Sequence, residues 1–209
     1  DTAFLLKPSK RKDLNFKKDN KLLIGISVSK LVSSYGFKSE NKKKSYKYFI
    51  NFMAKLIDWI ISELDANIIM ICHAIQPKRD DYKTSLDIFK KIINKKRIKI
   101  LGNEFTAADF KKAISYCDLL IAARLHAAIA RLSTCVPVIG LAYSHKMRGV
   151  FKQLGMEDYV IDIKDLNWNI TKKIKEVLKD KNKIRKKLRK NIPEIKKLAE
   201  KPAFLVAEY

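Results

Sequence analysis

Acidic residues are scarce in this chain. Its 209 residues hold 22 Asp and Glu against 45 Lys and Arg, for a formal charge of +23. Uncompensated cations point to anionic partners: a phosphorylated small molecule, an anionic lipid surface or nucleic acid. The lysines are dispersed, and a general bias toward lysine accounts for the total equally well. Cysteine is rare too. Cys72, Cys117 and Cys135 form an odd set without CxxC spacing, which excludes a disulfide framework and reads as small buried thiols in a reducing compartment. No His/Cys/Asp cluster has ligand spacing, so no metal is implied. The longest uncharged run near the core, Leu132–Ser144, contains Pro137 and is too short to span a bilayer. No signal peptide opens the chain, so a cytoplasmic location is expected. There is no internal repeat, heptad array, Walker motif or GxGxxG loop. The helix-turn-helix, zinc-finger and aromatic RNA-binding signatures are missing as well, which argues against nucleic acid as the partner.

What is present is a core. Hydrophobic residues make up 47% of the chain, so it can pack a core despite its charge, and 209 residues suffice for one substantial domain or two small ones. Apolar runs at Leu22–Ser29, Asn67–Cys72, Arg97–Leu101, Asp118–Ala123, Val136–Ala142 and Tyr159–Ile163 predict strands. Ser45–Leu64 carries Phe49, Ile50, Met53, Ile57 and Ile60 near helical spacing. Thr84-Ser85-Leu86-Asp87 and Thr106-Ala107-Ala108-Asp109 have the form of capping boxes, and Leu125–Leu132 and Met147–Leu154 predict short helices. Val32–Ser45 and Ala74–Tyr82 predict loops. Strands and helices thus alternate six times, the pattern of an α/β, doubly wound parallel sheet. The divisions expected are a basic opening linker over 1–21, an α/β domain over 22–168, and basic C-terminal helices with an apolar tail over 169–209. The last part is expected as one helix over Asn169–Asn191, a restart at Pro193 and a docking tail from Pro202.

The chain is organised around Asp118–Gly149. Two apolar strands there are each followed at once by polar groups: Arg124 and His126 after the first, Tyr143, Ser144, His145 and Lys146 after the second. Ligands of open α/β sheets bind outside the carboxyl ends of the strands, so Arg124, His126, Tyr143, Ser144 and Lys146 are the candidate site residues here, with His145 a solvated neighbour.

The run Arg124-Leu125-His126-Ala127-Ala128-Ile129-Ala130, then Val136-Pro137, then Tyr143-Ser144-x-Lys146-x-x-Gly149 resembles the polysaccharide pyruvyl transferase family. The Asp1-x-Ala3-Phe4-Leu5-Leu6 opening, Gly25-Ile26-Ser27-Val28-Ser29, and His73 followed by Asp80-Asp81 are similar too, so the likeness covers most of Asp1 to Asp162. It implies one Rossmann-like lobe of a two-lobed, glycosyltransferase-B-like enzyme that moves the enolpyruvyl group of phosphoenolpyruvate onto a sugar, usually as a ketal. Phosphoenolpyruvate is then the donor substrate, no cofactor is needed, and the acceptor is a saccharide, carried on a lipid in one reading. The chain opens at Asp1 rather than Met and is expected to be a piece of a longer protein whose N-terminal lobe supplies part of the acceptor site.

Phosphoenolpyruvate carries a carboxylate and a phosphate. In this reading Arg124 supplies a guanidinium fork for one of them, the helix opening at Leu125 supplies backbone N–H groups, and Lys146 supplies a point cation. His126 and His73 are the candidate acid and base, with no assignment between them. Asp80 or Asp81 orients a histidine or grips sugar hydroxyls, and Tyr143, Ser144 and Ser29 bind substrate. Two other classes compete: a glycosyltransferase lobe binding a nucleotide sugar, for which Glu104 is a poor ribose ligand, and a non-catalytic basic module. The basic C-terminal helix is either a solvated face or a peripheral contact with anionic headgroups at the inner face of the membrane, worth about 1 kcal/mol per basic residue. Whether the chain forms a homo-oligomer is left open.

Overall fold

A computed structural model describes residues 1–16, 19–37, 41–76 and 79–207, with backbone alone at 75, 76, 79 and 202–207. Its centre is six parallel strands: β1 (Leu22–Ser27), β2 (Ala66–Ile71), β5 (Ile98–Leu101), β6 (Leu119–Ala122), β7 (Val138–Ala142) and β8 (Val160–Asp162), with β3 (Ile75–Gln76) and β4 (Arg79–Asp80) as a separate two-residue hairpin. The order across the sheet is β5-β2-β1-β6-β7-β8. From β1 the chain builds outward through β2 to β5, then returns to the other side of β1 and builds outward through β6, β7 and β8. This is the doubly wound, Rossmann-like α/β arrangement, and its direction reverses between β1 and β6. The inner strands are largely apolar because both faces are covered; every residue of β6 and β7 is buried.

Helices fill the crossovers: α1 (Lys30–Gly36), α2 (Lys42–Leu64), α3 (Asp81–Lys91), α4 (Ala107–Ser115), α5 (Leu125–Leu132) and α6 (His145–Gln153), followed by α7 (Ile170–Lys179) and α8 (Lys181–Ala207). The stripe of α2, with Phe49, Met53, Leu56, Ile57 and Ile60, is buried as its spacing requires. The Thr106–Asp109 capping box forms, with each partner bonded to the other's backbone. At the far end of α4, Arg131 is fully buried and donates to the carbonyls of Ile114 and Cys117. A cation there satisfies carbonyls that the helix leaves open.

Several local expectations give way. Residues 30–36 form α1 rather than a loop, because Ser29 caps the turn and Val32 buries against the core. Helix α3 starts a turn before Thr84. Asp80 is its cap, accepting the Lys83 N–H at 3.0 Å, and the Thr84 hydroxyl is spent on the Asp80 carbonyl. The basic C-terminal stretch breaks at Asp180 rather than at Pro193. Helix α8 runs through the exposed proline, and Ile192 and Ala199 on either side are buried, which offsets the backbone bond that proline removes. The opening segment is packed rather than solvated: Phe4 and Leu14 are buried. Helices α7 and α8 lay Ile170, Ile174, Val177, Ile184 and Leu188 on the same core. The proposed docking tail has helical backbone to Ala207, and its side chains lie outside the described residues. Among the described residues, no helix is long and apolar enough to cross a membrane.

Candidate functional site

The three histidines of the chain all fall at carboxyl ends of strands: His73 past β2, His126 past β6 and His145 past β7. The sheet therefore gathers them on one edge, at and beside the point where its winding reverses. There a cleft of about 490 Å³ is lined by Asp1, His73, Arg124, His126, Tyr143, Ser144 and Lys146. The architecture brings together five residues expected from the two strand ends, and adds His73 from β2 and Asp1 from the opening segment.

Arg124 is fixed by a partner that sequence spacing did not assign to it. Its Nε donates to Asp81 Oδ2 at 3.0 Å and its Nη2 to Asp81 Oδ1 at 2.6 Å. Asp81 has no solvent exposure, and its Oδ2 also accepts the Ala74 N–H at 2.9 Å. Burial raises the Asp81 carboxyl above its ordinary range, and the Arg124 guanidinium and backbone N–H groups oppose that rise. Asp81 thus holds one edge of the guanidinium, leaving the Nη1 side for a ligand. Asp80 is placed differently, as the α3 cap, outside the cleft. Ser29 is also outside it; fully buried, its hydroxyl accepts the Leu31 N–H at 3.3 Å to cap α1.

The two histidines of the cleft differ in kind. His73 lies edge-on to the Phe110 ring, with centroids 5.1 Å apart, and its buried Nε2 has no hydrogen-bond partner. Desolvation, with the nearby charges of His126 and Arg124, pushes its pKa down to about 4, so the ring is neutral at pH 7. His126 lies in the first turn of α5 with its side chain 69% exposed, its Nε2 3.7 Å from Asp1 Oδ2. Asp1 is held by its own turn, where Oδ1 accepts the Ala3 N–H at 2.9 Å, and that turn packs against α5.

Helices α5 and α6 both begin at this cleft. Their cap residues, Arg124 and Ser144, make no side-chain bond to the helix, and neither first turn carries an acid. Each helix therefore presents N–H donors and the positive end of its dipole without an internal acceptor. Lys146 sits exposed in the first turn of α6. That helix lies directly on β7 because Gly140 has no side chain: a Cβ there would stand 3.0 Å from Phe151 and 3.2 Å from Met147. Among the described residues, no group of three His, Cys, Asp or Glu side chains is placed to hold a metal ion.

A second cleft of about 430 Å³ lies on the far side of Tyr143 and Ser144, lined also by Tyr35, His145, Arg148, Asp162 and Lys164. Tyr35, half exposed, stacks on Tyr143 with ring centroids 5.8 Å apart and an interplanar angle of 18°. Arg148 and Asp162 form a two-point ion pair beside them. Sequence reading did not find this group. Its members come from α1, α6 and β8, and no local pattern joins them.

Residues 1–145 match the model of a family described as polysaccharide pyruvyl transferase. Among curated proteins, the amylovoran biosynthesis protein AmsJ of Erwinia amylovora is 30% identical over 101 residues, which are 48% of this chain and 24% of AmsJ. The chain thus spans about a quarter of that relative. Among solved structures, the glycosyltransferase SnogD from Streptomyces nogalater is similar over 97% of this chain and 44% of its own, at 14% identity and a TM-score of 0.47.

Proposed function

This chain belongs to the polysaccharide pyruvyl transferase family, and we propose that its first cleft binds phosphoenolpyruvate and passes the pyruvyl group to two hydroxyls of a saccharide, closing a ketal. The observation that carries this reading is the convergence of two uncapped helix N-termini, Arg124 and Lys146 on one cleft. Free N–H donors, a forked cation and a point cation together suit a small ligand with both phosphate and carboxylate.

The chemistry then removes two protons, one from each sugar hydroxyl, and delivers two, one to carbon and one to the departing phosphate. A proton goes to the methylene carbon of phosphoenolpyruvate, and the first sugar hydroxyl bonds to the adjacent carbon as it becomes cationic. The bond from that carbon to the phosphate oxygen breaks next. Inorganic phosphate leaves with the electron pair, and the second hydroxyl takes its place. The two hydroxyl protons end on the new methyl group and on phosphate. His73, neutral at pH 7, arrives without a spare proton, so the donor of the pair is His126, with Asp1 beside it. His73 is the acceptor. Burial is the main cause of its low basicity, with the His126 and Arg124 charges adding to it, and a bound anion offsets those charges. Asp81 positions the Arg124 guanidinium and touches no substrate.

The experiment that tests this follows inorganic phosphate when the protein is mixed with phosphoenolpyruvate and methyl hexopyranosides. The expected result is phosphate release that depends on the glycoside. Release of nucleoside diphosphate from a UDP-sugar instead, with phosphoenolpyruvate inert, overturns the reading.

A further inference from the structure

We propose that the second cleft, between Tyr35 and Asp162, is a pyranose-binding subsite that presents the saccharide to the first. Its role as an acceptor site rests on the pyruvyl-transfer reading; its chemistry as a saccharide site does not.

The placement comes from the sheet. Asp162 ends β8 directly beside Ala142 of β7, and Tyr143 and Ser144 follow Ala142. The second cleft therefore sits at the same carboxyl edge as the first, on its β8 side. Tyr143 and Ser144 form the wall between them. A sugar lying in the second cleft needs only to extend its hydroxyls over that wall to reach a donor held by Arg124 and Lys146.

The lining fits a neutral polyol better than an anion. The first cleft has two helix N-termini with Arg124 and Lys146, while the second shares only the start of α6, through Ser144 and His145. The second has a shelf of two stacked tyrosine rings and an Arg148–Asp162 pair that largely cancels its own charge, with Lys164 beside it. The C–H face of a pyranose packs on an aromatic ring, and its hydroxyls need both acceptors and donors at the rim. Aromatic walls with a few placed polar groups are the common form of a small-ligand site. Asp162 and Arg148 keep side-chain exposures of 30% and 48%, so each can exchange bonds to water for bonds to hydroxyls.

The shelf is also held in place. Gly36 ends α1, and a Cβ there would stand 2.5 Å from the Ile163 carbonyl oxygen and 2.8 Å from Ile163 Cγ1. That close approach clamps the end of α1 onto the residue after Asp162. It sets Tyr35, the residue before Gly36, over Tyr143. Nothing in the core requires this: Tyr35 is 53% exposed.

Saturation-transfer NMR with methyl β-D-glucopyranoside and methyl β-D-galactopyranoside tests the subsite. Phosphoenolpyruvate is titrated into the same samples. Wild type is expected to transfer saturation to the pyranose ring protons of at least one glycoside. Tyr35→Ala is expected to weaken that transfer about fivefold, the worth of an aromatic pair, and Asp162→Asn to weaken it as well, with phosphoenolpyruvate binding unchanged in both. Lys146→Ala is expected to do the reverse. Absence of transfer from wild type to either glycoside overturns the subsite, as does full transfer in both Tyr35→Ala and Asp162→Asn. Glycoside binding that depends on Tyr35, with no binding of phosphoenolpyruvate, supports the subsite and overturns the donor reading alone.

Discussion

Arg124 and Asp81, 43 residues apart in sequence, meet in a two-point ion pair whose acid is wholly buried and whose base lines the cleft. The pairing changes how the cleft is to be tested. Removing Arg124 strips a buried carboxylate of its counter-charge, so an Arg124→Ala protein loses stability as well as any anion site. The pair links the start of α3 to the start of α5 across the winding reversal, and so couples the geometry of the cleft to the fold.

Asp81→Asn is therefore expected to destabilise the protein by about 3 kcal/mol, the usual cost of removing one partner of a buried pair. Urea unfolding of the two proteins checks it. A loss below about 1 kcal/mol means the pair behaves as a surface contact.

Acid stability depends on His73. Its folded pKa of about 4 lies below the unfolded value of about 6.5. Between those values the unfolded chain binds a proton that the native chain does not, so stability falls as pH drops from about 6.5 to about 4. The full effect is at most about 3 kcal/mol. Denaturation curves across this window are expected to be flatter for His73→Gln than for wild type by that contribution. Equal pH slopes in the two proteins contradict it.

His126 and Lys146 are exposed, so their truncation separates chemistry from folding. His126→Ala is expected to keep wild-type stability within about 0.5 kcal/mol and to lose about 10²–10⁴-fold in kcat. Lys146→Ala is expected to weaken donor binding with similar stability. Paired unfolding and turnover measurements check both. A large loss of stability in either variant contradicts the exposures on which this rests.

Much of the scaffold could be read in the sequence because its signals are local. The strands β6 and β7 are unbroken apolar runs and β1 and β2 nearly so, and α2, α4 and α5 announce themselves through spacing or a capping box. Placing Arg124 and His126 at one strand end, and Tyr143, Ser144 and Lys146 at the next, also needs only the order of elements. What was not legible depends on distant partners. Seven residues with one strongly buried aliphatic, Val32, are too short a signal for α1. The Thr84–Asp87 box looks competent, but Asp80 caps the helix first. Asp81 beside Asp80 is an ordinary loop pair until β6 brings Arg124 across to it. Tyr35 and Asp162 lie far apart in the chain, and only the β7–β8 register and the contact at Gly36 put them on one cleft.

In this reading two helix N-termini, Arg124 and Lys146 together make one phosphoenolpyruvate site. Calorimetric titration of the chain with phosphoenolpyruvate, beside UDP-glucose and with Lys146→Ala as the variant, tests it. The expected result is saturable binding of phosphoenolpyruvate that Lys146→Ala weakens at least tenfold, the loss of one charge-assisted contact of about 1.5 kcal/mol, with UDP-glucose silent. Saturable binding of UDP-glucose with phosphoenolpyruvate silent, or phosphoenolpyruvate binding untouched by Lys146→Ala, contradicts it.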